Sequence, residues 1–92
     1  MDSAAYRDEL AEVAAALRPL ADKVEITGDG AAAIVFATRQ SRAIELSLSD
    51  EGVWLEFWDG PDEPVRDAEF DSFRIAADAA SQWLVGTLAG RA

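Results

Sequence analysis

Ala43–Asp59, AIELSLSDEGVWLEFWD, is the stretch whose reading decides the fold. Ile44, Leu46 and Leu48 alternate with Glu45, Ser47 and Ser49, and Val53, Leu55 and Phe57 alternate with Trp54, Glu56 and Trp58. Such period-two alternation puts each set on one side of a pleated ribbon. With Ser49-Asp50-Glu51-Gly52 as the loop, Leu48 faces Val53, Leu46 faces Leu55 and Ile44 faces Phe57. All six apolar side chains then share one face, so register and burial agree. Glu45, Ser47, Trp54, Glu56 and Trp58 occupy the other face.

The elements on either side of this hairpin follow from their own patterns. Residues 3–18 form an amphipathic helix with Ser3 as N-cap, Asp8 and Glu9 near its positive end, and a stripe of Tyr6, Leu10, Val13 and Leu17. Pro19 stops it, because proline has no N–H for the helical ladder. Val24–Thr27 is a short strand with Val24 and Ile26 inward, Gly28-Asp29-Gly30 a turn, and Ala32–Thr38 a second strand. In that strand Val35 and Phe36 point to opposite sides, giving apolar character to both faces. The loop Arg39-Gln40-Ser41-Arg42 leaves its register against residues 43–49 open.

Beyond the hairpin, Asp59–Pro64 is a loop of acids, Gly and Pro. Val65–Phe70 reads as a fifth, edge strand with Arg66, Ala68 and Phe70 on one face. Asp71 or Ser72 then caps a helix running to about Ala89, with Gly90 as its stop. Its stripe is Phe73, Ala77, Ala80, Leu84 and Leu88, widened by Trp83. The order α-β-β-β-β-(β)-α specifies a single α+β domain over residues 1–92. It should be a two-layer sandwich in which an antiparallel meander of four or five strands carries both helices on the Ile44/Leu46/Leu48/Val53/Leu55/Phe57 face. Nothing in the chain is left to cover the opposite face.

Composition narrows the chemistry. Of 92 residues, 18 are acidic and 8 basic, a net charge of −10, and there is no cysteine and no histidine. The commonest nucleophile, general base and metal ligands are therefore missing. Lys23 is the only lysine and no Ser-x-x-Lys pattern surrounds it. Gly28-Asp29-Gly30 is not followed by a GK[ST] sequence, so it is not a phosphate loop. An acidic surface opposes binding to nucleic acid or anionic membranes, whose affinity comes from Lys and Arg. No run reaches the roughly 18 apolar residues of a membrane span, and MDSAAYRDEL does not resemble a signal peptide. The chain is expected to be cytoplasmic, with no cofactor and no metal.

Three constellations stand out. Trp54-Glu56-Trp58 places two indoles on either side of a carboxylate at spacings of about 6.5–7 Å, with Phe70 or Ala68 extending the stripe if the fifth strand pairs alongside. Aromatics around a carboxylate suit an Arg or Lys side chain through cation–π contact and ion pairing. The alternative is that the tryptophans pack beneath the 59–64 loop or against a second copy. Glu45 and Glu56 should face each other, a like-charge pair that Arg39, Arg42, Arg66 or a partner's cation could neutralise. As an acid–base enzyme site the pair lacks a surrounding pocket. Finally, nine of the 18 acids fall between Asp50 and Asp71, without the ligand spacing of an EF-hand. The expectation is a small non-enzymatic module, inhibitor-, immunity- or chaperone-like. It would bind a protein with a basic surface through Trp54, Glu56, Trp58, Glu45 and Phe70, or else use the same face to form a homodimer.

Overall fold

The computed structural model describes residues 3–50 and 52–86. Along the chain run α1 (Ser3–Leu17), β1 (Lys23–Thr27), a 3-10 turn (Gly30–Ala32), β2 (Ile34–Arg39), β3 (Arg42–Leu48), β4 (Val53–Asp59), β5 (Pro64–Phe70) and α2 (Phe73–Val85). The strands form one antiparallel sheet in the order β1-β2-β3-β4-β5, so each strand pairs only with its neighbours in sequence. The α+β meander with a helix at each end is the expected architecture, and the fifth strand pairs at the sheet edge. No helix among the described residues is long and apolar enough to cross a membrane.

The β3–β4 hairpin has the register that its alternation demands: Leu48↔Val53, Leu46↔Leu55 and Ile44↔Phe57 on one face, Glu45↔Glu56 and Ser47↔Trp54 on the other. Its turn closes through Ser49 N–H to Gly52 O at 2.9 Å, and Gly52 N–H donates to Ser49 Oγ at 3.0 Å. The open question of β2 is answered by a two-residue turn. Gln40 adopts φ 54° and donates its N–H to Asp22 Oδ2 at 2.8 Å, which sets Ala37 opposite Ile44 and Val35 opposite Leu46.

Both helices lie on the face of Val35, Ile44, Leu46, Leu55 and Phe57, and one core joins them to the sheet. From α1 come Tyr6, Leu10, Val13 and Leu17, as the spacing predicts; the Tyr6 hydroxyl donates to Ala33 O at 2.5 Å. From α2 come Phe73, Ala76, Ala80, Trp83 and Leu84. Here the expectation needs correcting. Ala76 rather than Ala77 is fully buried, and Trp83, expected only to widen the stripe, is the largest fully buried side chain. Its ring meets Phe57 edge-on at 5.5 Å, its Nε1 donates to Trp58 O at 3.0 Å, and the Arg42 guanidinium lies 4.2 Å above it.

Ser72 is the N-cap of α2, its Oγ accepting from Ile75 N–H at 3.2 Å. The helix stops at Val85, four residues before the expected end, because Gly86 takes the left-handed conformation (φ 85°) that favours glycine and its N–H closes onto Gln82 O and Trp83 O. The expected contributions of Leu88, Ala89 and Gly90, and of the Ser3 side chain as a cap, lie outside the described residues. Ile26, expected inward, is 40% exposed: it is on the helix-side face, but on the edge strand β1.

Candidate functional site

The sheet face turned away from the helices follows from strand parity. Since Val35, Ile44, Leu46, Leu55 and Phe57 point to the helices, their neighbours Ile34, Phe36, Glu45, Ser47, Trp54, Glu56 and Trp58 point outward. Each of these is half-buried, as side chains on a sheet shield one another, and no described element lies over them.

The ladders align them into rows across the strands. The central row runs Glu25, Phe36, Glu45, Glu56, Asp67 from β1 to β5, so four of its five members are carboxylates. On one side of it Ser47, Trp54 and Glu69 are in line, with Ile34 on β2. On the other side are Thr38, Ala43, Trp58 and Pro64. Trp54 and Trp58 therefore flank Glu56 along β4, and Glu45 stands directly across from it, as the sequence predicts.

Phe70 does not join them. Val53↔Phe70 and Leu55↔Ala68 put Phe70 and Ala68 on the helix side, packed against the core. The cause is the parity of the β4–β5 connection. The register shifts between Phe57 and Trp58, where Val65 is passed over, and no composition rule reveals such a bulge. In place of Phe70, Asp67 and Glu69 reach the outward face, which makes it more acidic than the sequence pattern predicts.

The arginines considered as neutralisers of Glu45 and Glu56 are also on the helix side. Arg42 stacks on Trp83 and its Nη1 donates to Trp83 O at 2.9 Å, Arg39 Nη1 donates to Leu20 O at 3.1 Å, and the Arg66 guanidinium lies 5.6 Å from the Phe57 ring. Among the described residues the basic group of the outward face is Lys23, 3.4 Å from Glu25, an exposed pair of small energetic weight. Burial, the facing Glu56 charge and a hydrogen bond between the two carboxyls raise the Glu45 pKa above its ordinary value. Trp58 adds a second uncompensated group: its Nε1 is buried without a hydrogen-bond partner, which costs about 1–3 kcal/mol.

Clefts of ≈ 460 and ≈ 500 Å³ lie beside Ala77 and Asp78 of α2 and beside the β3–β4 loop, and neither is lined by Glu45, Glu56 or a tryptophan. No group of three or more potential metal-ligating side chains occurs among the described residues.

Fold and face together define a class: a two-layer α+β sandwich whose outward sheet surface, covered by no described residue, combines aromatic rings with a line of carboxylates. Comparison with protein-family models, curated proteins and solved structures finds no match to the chain.

Proposed function

We propose that this chain is a non-enzymatic binding module whose outward sheet face docks a basic segment of a protein partner. The observation that carries this is the Glu25–Phe36–Glu45–Glu56–Asp67 row, flanked by Trp54 and Trp58, with Arg39, Arg42 and Arg66 all engaged on the helix side. A cationic segment would relieve the like-charge opposition at Glu45 and Glu56 while covering the indoles, so charge and apolar area favour the same occupant. An inhibitor, an immunity protein or a chaperone acting in the cytoplasm would each use such a face. A second copy is the poorer occupant, because an isologous dimer would set two acidic rows against each other. The open setting of the carboxylates gives a substrate no enclosure, which favours a binding role over an acid–base enzyme.

The test is calorimetric titration with an octamer of alternating Ser and Arg at low and moderate salt. Binding that weakens as salt rises, and that Trp54→Ala reduces by about 2 kcal/mol, supports docking on this face. Glu12→Gln on the exposed side of α1 is the control for general acidity and should have little effect. Binding insensitive to Trp54→Ala, or no binding at low salt, would remove this function. Light scattering across a dilution series tests the homodimer, which a concentration-independent dimer with quencher-protected indoles would establish instead.

A further inference from the structure

We infer that the centre of this face is a seat for a single guanidinium group, so that the partner anchors through an arginine and not a lysine. This rests on the docking role proposed above and adds the identity of the group that is recognised.

Three features of the site select the guanidinium. First, Glu45 and Glu56 are direct cross-strand partners. Directly opposed positions have Cβ atoms about 4.5–5.5 Å apart, so the two carboxyls can grip one ligand from both sides. A guanidinium offers five N–H donors in a planar fork and can bridge two carboxylates. An ammonium is a compact, strongly hydrated point charge that cannot match both in one plane. Second, the walls are aromatic. Trp54 and Trp58 stand two residues away from Glu56 on either side along β4, and Phe36 is the cross-strand neighbour of Glu45 on β2. A weakly hydrated planar cation stacks on such rings, whereas an ammonium has to shed tightly held water to approach them. Third, the same chain uses this chemistry on its other face, where Arg42 stacks on Trp83.

The groups facing the seat fix how binding couples to protons. Glu25 and Lys23 approach from β1, Phe36 from β2 and Asp67 from β5, so the remaining charge around the pair is predominantly negative. In the unbound protein burial, and after it the facing Glu56 carboxyl, retain a proton on Glu45 to higher pH than an ordinary glutamate would. An arriving guanidinium favours the ionised pair, and the displaced proton passes to solvent. Affinity for arginine therefore falls as pH drops through the raised Glu45 pKa, and binding in that range releases protons.

The experiment compares alternating Ser/Arg and Ser/Lys octamers, and a Ser/Lys octamer with one central Lys→Arg change, by calorimetry in buffers of different ionisation heat. The unaltered chain should prefer the single-arginine peptide over its all-lysine parent by about tenfold, with proton release where pH falls through the raised Glu45 pKa. Glu56→Gln should abolish that preference, leaving equal, weaker binding; a urea titration verifies that the variant is folded. Carboxyl carbon NMR of the unbound protein should show Glu45 titrating above the ordinary glutamate range. Equal binding of the arginine and lysine peptides, both sensitive to Trp54→Ala, would overturn the guanidinium seat and leave cationic docking standing. Retention of the preference in Glu56→Gln, or ordinary titration of Glu45, would also overturn it. Absence of binding by every peptide would overturn both proposals.

Discussion

Trp83→Phe tests how the core supports the face on the far side of the sheet. The Trp83 ring is wholly buried and its Nε1 donates to the backbone carbonyl of Trp58 at 3.0 Å. It thereby secures, from the helix side, the strand position whose side chain projects outward. Phenylalanine keeps a ring near Phe57 but removes that donor, worth about 1 kcal/mol. The lost part of the indole leaves a void worth about another 1 kcal/mol. A smaller π-surface under Arg42, now 4.2 Å from the ring, forfeits about 0.5 kcal/mol more. The expected loss is therefore between about 2 and 3 kcal/mol, a large share of the roughly 5–15 kcal/mol that holds a domain together. Urea unfolding followed by far-ultraviolet circular dichroism measures it without relying on the altered tryptophan signal. The midpoint should fall by about 1 M or more. Docking of the Ser/Arg octamer should also weaken, although residue 83 never reaches the outward face. Ile44→Val is the control: Ile44 is fully buried in the same core, and the change should cost about 1 kcal/mol while leaving docking intact. A loss below about 0.5 kcal/mol in Trp83→Phe, or docking affected equally by both variants, would refute the support assigned to the Trp83–Trp58 hydrogen bond.

Two further substitutions address the hairpin. Gly52→Ala would drive its Cβ into the backbone oxygen of Phe70, a clash that the backbone must shift to relieve. The expected loss is about 3 kcal/mol by urea titration, and a loss under about 1 kcal/mol would mean that the backbone there yields easily. Glu45→Gln keeps a side chain able to hydrogen-bond Glu56 and removes the like charge, so it should stabilise the fold at pH 7 by up to about 1 kcal/mol. The pH dependence has a definite sign. A carboxyl with a raised folded-state pKa contributes stability that is fully present below the ordinary glutamate pKa and is lost as pH rises through the raised value. The advantage of Glu45→Gln over the unaltered chain should therefore grow across that range, and a constant difference from pH 4 to 7 would contradict it.

The hairpin of β3 and β4 was fully legible because two independent constraints coincide there. Six apolar residues on one parity and a four-residue loop admit a single register, and that register also brings Glu45 to Glu56 and places Trp54 and Trp58 beside them. Legibility ended where a single residue changes parity. Sequence pattern alone aligns Phe70 with the tryptophans, but the register shift opposite Trp58 turns it toward the core and sends Asp67 and Glu69 outward. In α2 the run of alanines makes several stripes equally apolar, so the pattern does not distinguish Ala76 from Ala77 or reveal how deeply Trp83 is buried. Gly86 and Gly90 are equivalent as stop signals in sequence, and the αL geometry at Gly86 is what ends the helix there. The arginines were beyond reach for another reason: their long side chains find rings and carbonyls contributed by distant elements, such as Trp83 for Arg42.

The sequential strand order β1-β2-β3-β4-β5 has a kinetic consequence. Each ladder closes a short loop, so the sheet can zip outward from the β3–β4 turn without any crossover, and the chain meets no slow topological search. Among the described residues, only the packing of α1 against α2 joins segments from opposite ends of the chain. Refolding should thus be quick and its barrier governed by the central turn, with changes in α1 mainly accelerating unfolding.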